Sequence, residues 1–191
     1  MKKLIFIAAA AVALVAFKPV ENATWTLDKN HAKLGFTITH LMVSDVEGWF
    51  KTFDATITTS KEDFSDAVVE MTADVNSINT DQEKRDAHLK SADFFDAEKF
   101  PKLTFKSKSF KKVKDNTYKV TGDLTMHGVT KTVEFDAIAK IGTNPMSKKA
   151  VAGFKLSGTI KRSDFAIGAS MGAAMLSDEV VLVANAEFGK N

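Results

Sequence analysis

Residues 117–141 read TYKVTGDLTMHGVTKTVEFDAIAKI. Apolar or small residues recur at every second position on both sides of the His127-Gly128 pair, mostly with polar residues between them. A period of two residues is typical of a β-strand with one buried and one exposed face. Because only a short turn separates the two runs, the stretch predicts an antiparallel hairpin. Its expected inner face carries Tyr118, Val120, Gly122, Leu124, Met126, Val133, Phe135, Ala137, Ala139 and Ile141.

The same alternation extends over most of the chain outside this hairpin. The pattern changes phase near Lys51-Thr52, which predicts a bulge. No helical pattern alternates with the strands, so a parallel α/β fold is not expected. Together with the hairpin, the sequence predicts about eight strands, the others lying within residues 33–40, 48–57, 68–75, 103–109, 152–160 and 180–188.

The positions of three glycines favour a closed barrel over a two-layer sandwich, although both architectures have one apolar face per strand. Gly48, Gly122 and Gly158 fall on inner faces, where a barrel needs tight bends or interior room. The interior of an eight-stranded barrel is filled by side chains or holds one small ligand. We therefore predict an all-β fold, an antiparallel eight-stranded barrel.

One segment interrupts the strand pattern. TDQE at residues 80–83 has capping-box spacing, which predicts Thr80 as the N-cap of a helix that ends near Lys90. This helix contains few apolar residues, so we expect one short surface helix. Leu89 and the Phe94-Phe95 pair behind the helix are expected to anchor it.

The N-terminus has the pattern of a secretory signal peptide. Lys2 and Lys3 precede an apolar run from Leu4 to Phe17, which is shorter than the roughly 20 residues of a membrane-spanning helix. We expect residues 1–23 to be a signal peptide that is cleaved between positions 13 and 23. Residues 24–191 would then form one domain with a periplasmic or extracellular location.

Composition excludes several classes of function. The chain has no Cys, so cysteine-linked lipid anchors, disulfides and thiolate chemistry are excluded. Without the leader's Lys2, Lys3, Lys18 and Glu21, the 26 basic and 24 acidic residues become equal in number, so nucleic-acid binding is not expected. The lysines of residues 106–114 are interpreted as protection of a strand edge. Transient contact with an anionic membrane surface is the alternative.

The histidines and carboxylates form no pattern that predicts catalysis. The four histidines lack the spacings that preassemble a metal site, and we expect neither a metal nor a cofactor. Asp86 and His88 are two positions apart on the predicted helix and point in different directions. No nucleophile elbow and no glycine-rich phosphate loop is present. His40, on an inner face, is either a buried hydrogen-bonded histidine or a contact for a ligand head group.

Several linked segments resemble the YceI-like family of secreted polyisoprenoid-binding proteins over residues 24–188. The resemblance implies a lipocalin-like barrel whose lumen holds a long isoprenoid chain, with binding or carriage and no reaction. It also implies that the short helix caps this lumen, with its charged side chains pointing outward and Phe94 and Phe95 pointing inward. It rests on the order and spacing of WTLDKNHA at 25–32, FTITHL at 36–41, GWF at 48–50, SINTDQEKRDAHLKSADFFDAEKFPKLTF at 77–105, GDLTMHGVTKTV at 122–133 and KRSDFAIG at 161–168.

We therefore expect a non-enzymatic protein that binds an isoprenoid or another long-chain lipid. Two alternatives remain open: a metal-assisted hydrolase that uses the His and Asp residues, and a ligand-free structural or stress-related barrel. The sequence leaves the oligomeric state undetermined, and a dimer is compatible with it. The residues expected to line the apolar lumen are Phe36, Ile38, Phe50, Phe53, Val69, Met71, Phe105, Leu124, Phe135, Phe154 and Leu156.

Overall fold

The computed structural model describes residues 21–191, which form one antiparallel sheet of ten strands and one α-helix. Most of the predicted signal peptide lies outside the described residues. Within residues 21–191, no helix is long and apolar enough to cross a membrane. The strands are β1 (Ala23–His40), β2 (Ser44–Phe50), β3 (Phe53–Thr59), β4 (Val68–Asp74), β5 (Ile78–Asn79), β6 (Lys102–Lys114), β7 (Thr117–Met126), β8 (Val129–Thr143), β9 (Ala150–Lys161) and β10 (Leu176–Lys190). The helix α1 is Glu83–Lys90, and short 3₁₀ helices span Val75–Ser77 and Arg162–Phe165.

The sheet closes into a barrel because β1 pairs with β10 along most of its length. On its other side, β1 pairs first with β3 and then with β2, so β2 and β3 act as one strand broken at Lys51-Thr52. Counted this way, eight strands form the ring, and the two-residue β5 is added beside β2. The predicted antiparallel eight-stranded barrel with one short helix is confirmed, together with the predicted break.

Two inner-face glycines give room to aromatic rings on neighbouring strands. A Cβ atom on Gly122 would lie 2.5 Å from the ring of Phe105, and one on Gly158 would lie 2.5 Å from the ring of Phe135. Both distances are far shorter than a normal carbon–carbon contact. The two rings meet edge to face, with centroids 5.6 Å apart. These glycines therefore provide the interior space that the sequence predicts for a barrel.

The start of α1 differs from the prediction. Gln82 is the N-cap, and its side chain accepts a hydrogen bond from the backbone N–H of Arg85 at 2.6 Å. Thr80 is buried, and its N–H and hydroxyl donate to the carboxylate of Asp86 at 2.8 and 2.5 Å. The prediction of a capping box at Thr80 is wrong, because the N–H and the hydroxyl of Thr80 both donate hydrogen bonds to the Asp86 carboxylate. Asp86 is itself buried, so the expectation that the charges of this helix all point outward is also wrong.

Aromatic packing closes one end of the barrel, at the turn between β3 and β4. Phe64 is fully buried there, and its ring lies 5.1 Å from that of Trp25 and 5.2 Å from that of Phe154. The hydroxyl of Tyr118 donates to the backbone carbonyl of Asp63 at 2.7 Å, which ties the turn to the barrel wall. The interior is therefore filled by side chains at this end, which we call the closed end.

The turn at the closed end is also held by Asp66. Its carboxylate accepts hydrogen bonds from the hydroxyls of Ser60 and Thr59, the latter at 2.5 Å. It also accepts from the backbone N–H groups of Ser60 and Lys61, at 3.2 and 3.3 Å. The bonds from the Ser60 and Thr59 hydroxyls are the main reason that the pKa of Asp66 is lowered to about 2.

Replacing Asp66 by Asn is expected to remove a pH-dependent contribution to stability. Because the folded pKa is about 2, the carboxylate stabilises the fold above its unfolded pKa of about 4 and loses this contribution as the pH falls towards the folded value. The side chain is exposed, so we expect a loss of about 1 kcal/mol near neutral pH. Denaturant unfolding of both proteins across the acidic range measures the difference. A difference that does not change with pH would contradict the prediction.

Candidate functional site

An outer cavity of about 280 Å³ lies at the end of the barrel opposite the closed end. Its wall combines strands β1, β2, β9 and β10 with α1 and the segment that follows β9. Most of the lining side chains are apolar. The cavity opens to solvent, because several of its lining residues, including His40, Arg85, His88 and Met175, are exposed. We call this end the open end.

An inner cavity of about 120 Å³ lies deeper in the barrel. Among the described residues that line it, every one is apolar or glycine and none is exposed. Phe50, Leu103 and Leu182 line both cavities, so the two are adjacent and share this part of their walls, which we call the neck. Taken together, the adjacent cavities are polar at the outer rim and apolar at depth, as a site for an amphiphile requires.

The structure places all of the residues predicted to line the lumen on the walls of these cavities. Phe36 and Ile38 line the outer cavity, and Phe50 lines both. The others line the inner cavity: Phe53, Val69, Met71, Phe105, Leu124, Phe135, Phe154 and Leu156. Their contact with a ligand stays a prediction.

His40 lies at the rim of the outer cavity and is exposed, so its interpretation as a buried histidine is wrong. It is the last residue of β1, and the pairing of β1 with β10 shifts register between Ile38 and His40. His40 is still paired with Ser44 of β2 and Leu176 of β10, but at this end of the barrel its imidazole is exposed to solvent. The next turn exposes Met42 and Val43, at 75% and 83%. The alternative role of His40, contact with a ligand head group, stays a prediction.

Arg85 is a rim residue that the sequence analysis did not predict. Its Nε donates to the hydroxyl oxygen of Thr80 and its Nη2 donates to the Thr80 carbonyl, both at 2.8 Å. Since the Thr80 hydroxyl donates in turn to buried Asp86, these three side chains form one network. Thr80, Arg85 and His88 all line the outer cavity. The helical pattern places Arg85 on a surface helix but does not indicate which face of that helix meets the cavity.

Arg162 is buried and holds the segment that covers the outer cavity. Met171 and Met175 on that segment form part of the cavity wall. An irregular segment leaves backbone carbonyls that need hydrogen-bond donors, and one guanidinium supplies several. Nothing in the sequence around KRSDFAIG indicates that this arginine is buried. Its guanidinium donates, at 2.6 to 3.1 Å, to the backbone carbonyls of Ile167, Gly168, Met171, Leu176 and Ser177.

In the described part of the chain, one group of three side chains has ligand atoms close enough for a shared metal. Asp28, His31 and Glu187 place these atoms within 4.8 Å of one another, and none of them lines either cavity. The hydrogen bond between His31 and Asp28, 2.8 Å long, lowers the pKa of Asp28 and raises that of His31. Because a metal ligand must be a neutral imidazole, this pairing favours an ion pair over a metal site.

The residues that suggested a hydrolase are not brought together. Asp86 is bonded to Thr80, whereas His88 Nε2 lies 3.4 Å from the Asp93 carboxylate at the exposed rim. The ring of His88 also packs edge to face against Phe94, with centroids 4.9 Å apart. Phe94 and Phe95 line the outer cavity, in agreement with the inward direction predicted for them.

Comparison with known proteins agrees with this architecture. A family model of the YceI-like domain matches residues 25–188. The chain belongs to the YceI-like family. The resemblance inferred from its sequence motifs is therefore confirmed. The UPF0312 protein SA2479 of Staphylococcus aureus strain N315 is 42% identical to this YceI-like chain over 172 residues, which cover 86% of this chain and 96% of that protein.

Solved structures of related barrels also match this YceI-like chain. The YCEI protein of Campylobacter jejuni has a TM-score of 0.74 and 35% sequence identity, and the match covers 80% of this chain and 90% of that one. A polyisoprenoid binding domain from Saccharophagus degradans has a TM-score of 0.68 and 15% identity, and the match covers 87% of this chain and 98% of that one. At this low identity the second match supports the fold alone.

Replacing Leu156 by Trp tests whether the inner cavity of this YceI-like barrel accepts added volume. Leu156 lines a cavity of about 120 Å³, so the larger ring has space to enter. We expect a loss of less than about 1 kcal/mol in the free energy of unfolding, whereas overpacking a dense core costs about 1–3 kcal/mol. Denaturant unfolding measures the stability.

Ala152→Leu is the matched control for this prediction. Ala152 is fully buried and lines neither cavity, so we expect its enlargement to cost the full overpacking penalty of about 1–3 kcal/mol. Equal losses in the two variants would mean that the inner cavity is not available to a bulky apolar group.

Proposed function

We propose that this protein binds and carries a long-chain isoprenoid-type lipid inside the barrel. The observation that carries the proposal is the pair of adjacent cavities, an outer one that is open at a polar rim and an inner one lined wholly by apolar residues and glycine. An isoprenoid chain has no hydrogen-bonding groups along its length, so it suits the inner cavity. A solved barrel of the same fold, from Saccharophagus degradans, is described as a polyisoprenoid binding domain.

Apolar burial alone provides enough free energy for this binding. Burial of one methylene group contributes about 0.8 kcal/mol, whereas non-covalent affinities saturate near about 20 kcal/mol. Each methylene group that enters the two cavities therefore adds affinity, and the chain need not fill the space completely. Because one methylene group changes the affinity only slightly, the apolar walls select poorly among chain lengths. Discrimination between ligands then depends on the polar rim.

The proposed role includes no chemical step. Asp86 is engaged by Thr80, and His88 faces Asp93 at the exposed rim, so they do not act on one common atom. A general acid and base must both reach the reacting group within hydrogen-bond distance. The contacts of Asp86 and His88 therefore favour a structural role in the cover of the cavity over a role as a catalytic pair.

We propose that the protein acts in the periplasm after removal of its leader. The basic start and the short apolar run of residues 2–17 support export. The first strand begins at Ala23, the last position of the expected cleavage window, so cleavage earlier in the window would leave β1 whole.

Contact with an anionic membrane through residues 106–114 stays a prediction, and ion pairs weaken its basis. Lys106 lies 2.7 Å from Glu70, and Lys108 lies 2.5 Å from Asp123. These pairs reduce the positive charge that the strand presents to a lipid surface. Their partners lie on the strands β4 and β7 that flank β6 in the ring, so the ion pairs link neighbouring strands and do not support the interpretation of the lysines as protection of a strand edge.

Native mass spectrometry of freshly secreted protein tests the proposed function. We expect a population with an excess mass that disappears on denaturation, and solvent extraction should identify an isoprenoid-type lipid. The Leu156→Trp variant should retain less of this lipid because the indole occupies the inner cavity. Protein that carries no lipid and does not bind added farnesol would support the ligand-free barrel instead. Retained zinc with hydrolytic turnover would support the metal-assisted alternative.

Intact-mass measurement of the exported protein tests the location. We expect a soluble periplasmic product that has lost Met1 and begins within residues 14–24, because cleavage falls in the window predicted from the sequence. Membrane-bound protein that still contains Met1 would contradict export with cleavage. Fractionation of the same cells identifies the compartment and does not depend on lipid binding.

A further inference from the structure

The polar residues around the outer cavity share one electrostatic character. They are His40, Thr80, Arg85, His88 and Arg162, that is, two arginines, two histidines and one hydroxyl. Within residues 21–191, no aspartate or glutamate lines this cavity. Two carboxylates on or beside the helix are already engaged: Asp86 is bonded to Thr80, and Asp93 lies 3.4 Å from His88. The rim therefore offers hydrogen-bond donors and positive charge to whatever occupies the cavity.

The two arginines differ in how many of their N–H donors are free to bind a ligand. Arg162 is buried and donates all around its guanidinium to backbone carbonyls, so its donors are committed to the fold. Arg85 is exposed and uses only Nε and Nη2, both on Thr80. Among the described residues, no carboxylate forms a salt bridge with it, and its Nη1 group makes no hydrogen bond to them. Arg85 thus keeps free donors at the cavity rim.

The position of Arg85 is set by a buried network. Asp86 is 8% exposed, and its carboxylate accepts a hydrogen bond from the hydroxyl of Thr80. The oxygen of that hydroxyl accepts a hydrogen bond from Nε of Arg85. The second bond, from Nη2 to the Thr80 carbonyl, fixes the plane of the guanidinium. A side chain held in this way loses little conformational entropy when it binds a ligand. Preorganised donors beside an apolar cavity are a feature of binding sites.

We propose that Arg85 binds the anionic head group, a phosphate or a carboxylate, of a lipid whose tail lies in the two cavities. The proposal rests on the proposed function, since it assigns the head-group end of the same site. Guanidinium groups make charge-assisted hydrogen bonds with both kinds of anion. His40 and His88 line the same rim and supply further donors to the head group. The tail contributes most of the affinity, and Arg85 contributes selectivity for the charged head.

Paired ligands that differ only in the head group test this assignment. Farnesyl monophosphate and farnesol share one tail, and hexadecanoate and hexadecanamide share another. We expect wild-type protein to prefer the charged member of at least one pair by about tenfold, the size of one charge-assisted hydrogen bond at a partly exposed site. The pair that shows the preference distinguishes a phosphate head from a carboxylate head. Titration calorimetry or displacement of a fluorescent lipid measures the affinities.

The Arg85→Gln variant should lose this preference while it binds the uncharged lipids within about twofold of wild type. Lys84→Gln is the matched control: it removes the same charge from the same helix, and Lys84 lines neither cavity. This control should keep the preference. A loss of affinity for charged and uncharged lipids alike in Arg85→Gln would mean that Arg85 only supports the fold, and would overturn the proposal.

A measurement on wild-type protein keeps the test independent of the folding of the variants. Raised ionic strength should weaken binding of the charged lipid and leave binding of its uncharged partner unchanged, because salt screens an exposed charge pair. Equal responses of both partners would overturn the head-group assignment while lipid binding itself stands. If wild-type protein binds none of the four lipids, the proposed function fails, and the assignment of Arg85 fails with it.

Discussion

The pairing of β1 with β10 is the interaction on which the rest of the structure depends, because it turns an open sheet into a ring. Once the ring is closed, every second side chain of each strand points to one shared interior. That interior is filled unevenly. Aromatic side chains around Phe64 pack the closed end, whereas the space towards the open end is left as two adjacent cavities. Closure thus creates both the core and the space for a ligand.

The cover of the open end is held in place by buried polar side chains, because it lacks the backbone pairing that holds the strands together. This cover consists of one short helix and irregular segments, whose backbone groups need hydrogen-bond partners. Arg162 donates to three carbonyls of the segment between β9 and β10 and to two at the start of β10. Asp86 accepts hydrogen bonds from both the N–H and the hydroxyl of Thr80 just before the helix. These anchors hold the cover above the outer cavity without filling it with side chains. The same Thr80 also fixes Arg85 at the rim, which links the stability of the cover to the chemistry of the site.

Sequence reasoning succeeded where one periodic signal decides the answer. Alternation placed Phe135, Phe154 and Leu156 on inner faces, and all three line the inner cavity. The same reasoning failed where a strand ends, because His40 follows the alternation in sequence but lies after a shift of register at the open rim, where its side chain is exposed. It failed again at Thr80, whose capping-box spacing was outweighed by a buried carboxylate six residues later.

The sequence by itself determined the period-two pattern, the eight strands of the ring, the apolar character of the interior and the membership of the YceI-like family. These properties follow from local spacing, because each strand presents alternate residues to the same side wherever it lies. Only the tertiary structure decided that Arg85 meets the cavity, that Arg162 is buried and that the space is divided by a neck at Phe50, Leu103 and Leu182. Such features depend on contacts between segments far apart in the chain, and a periodic pattern carries no information about those contacts.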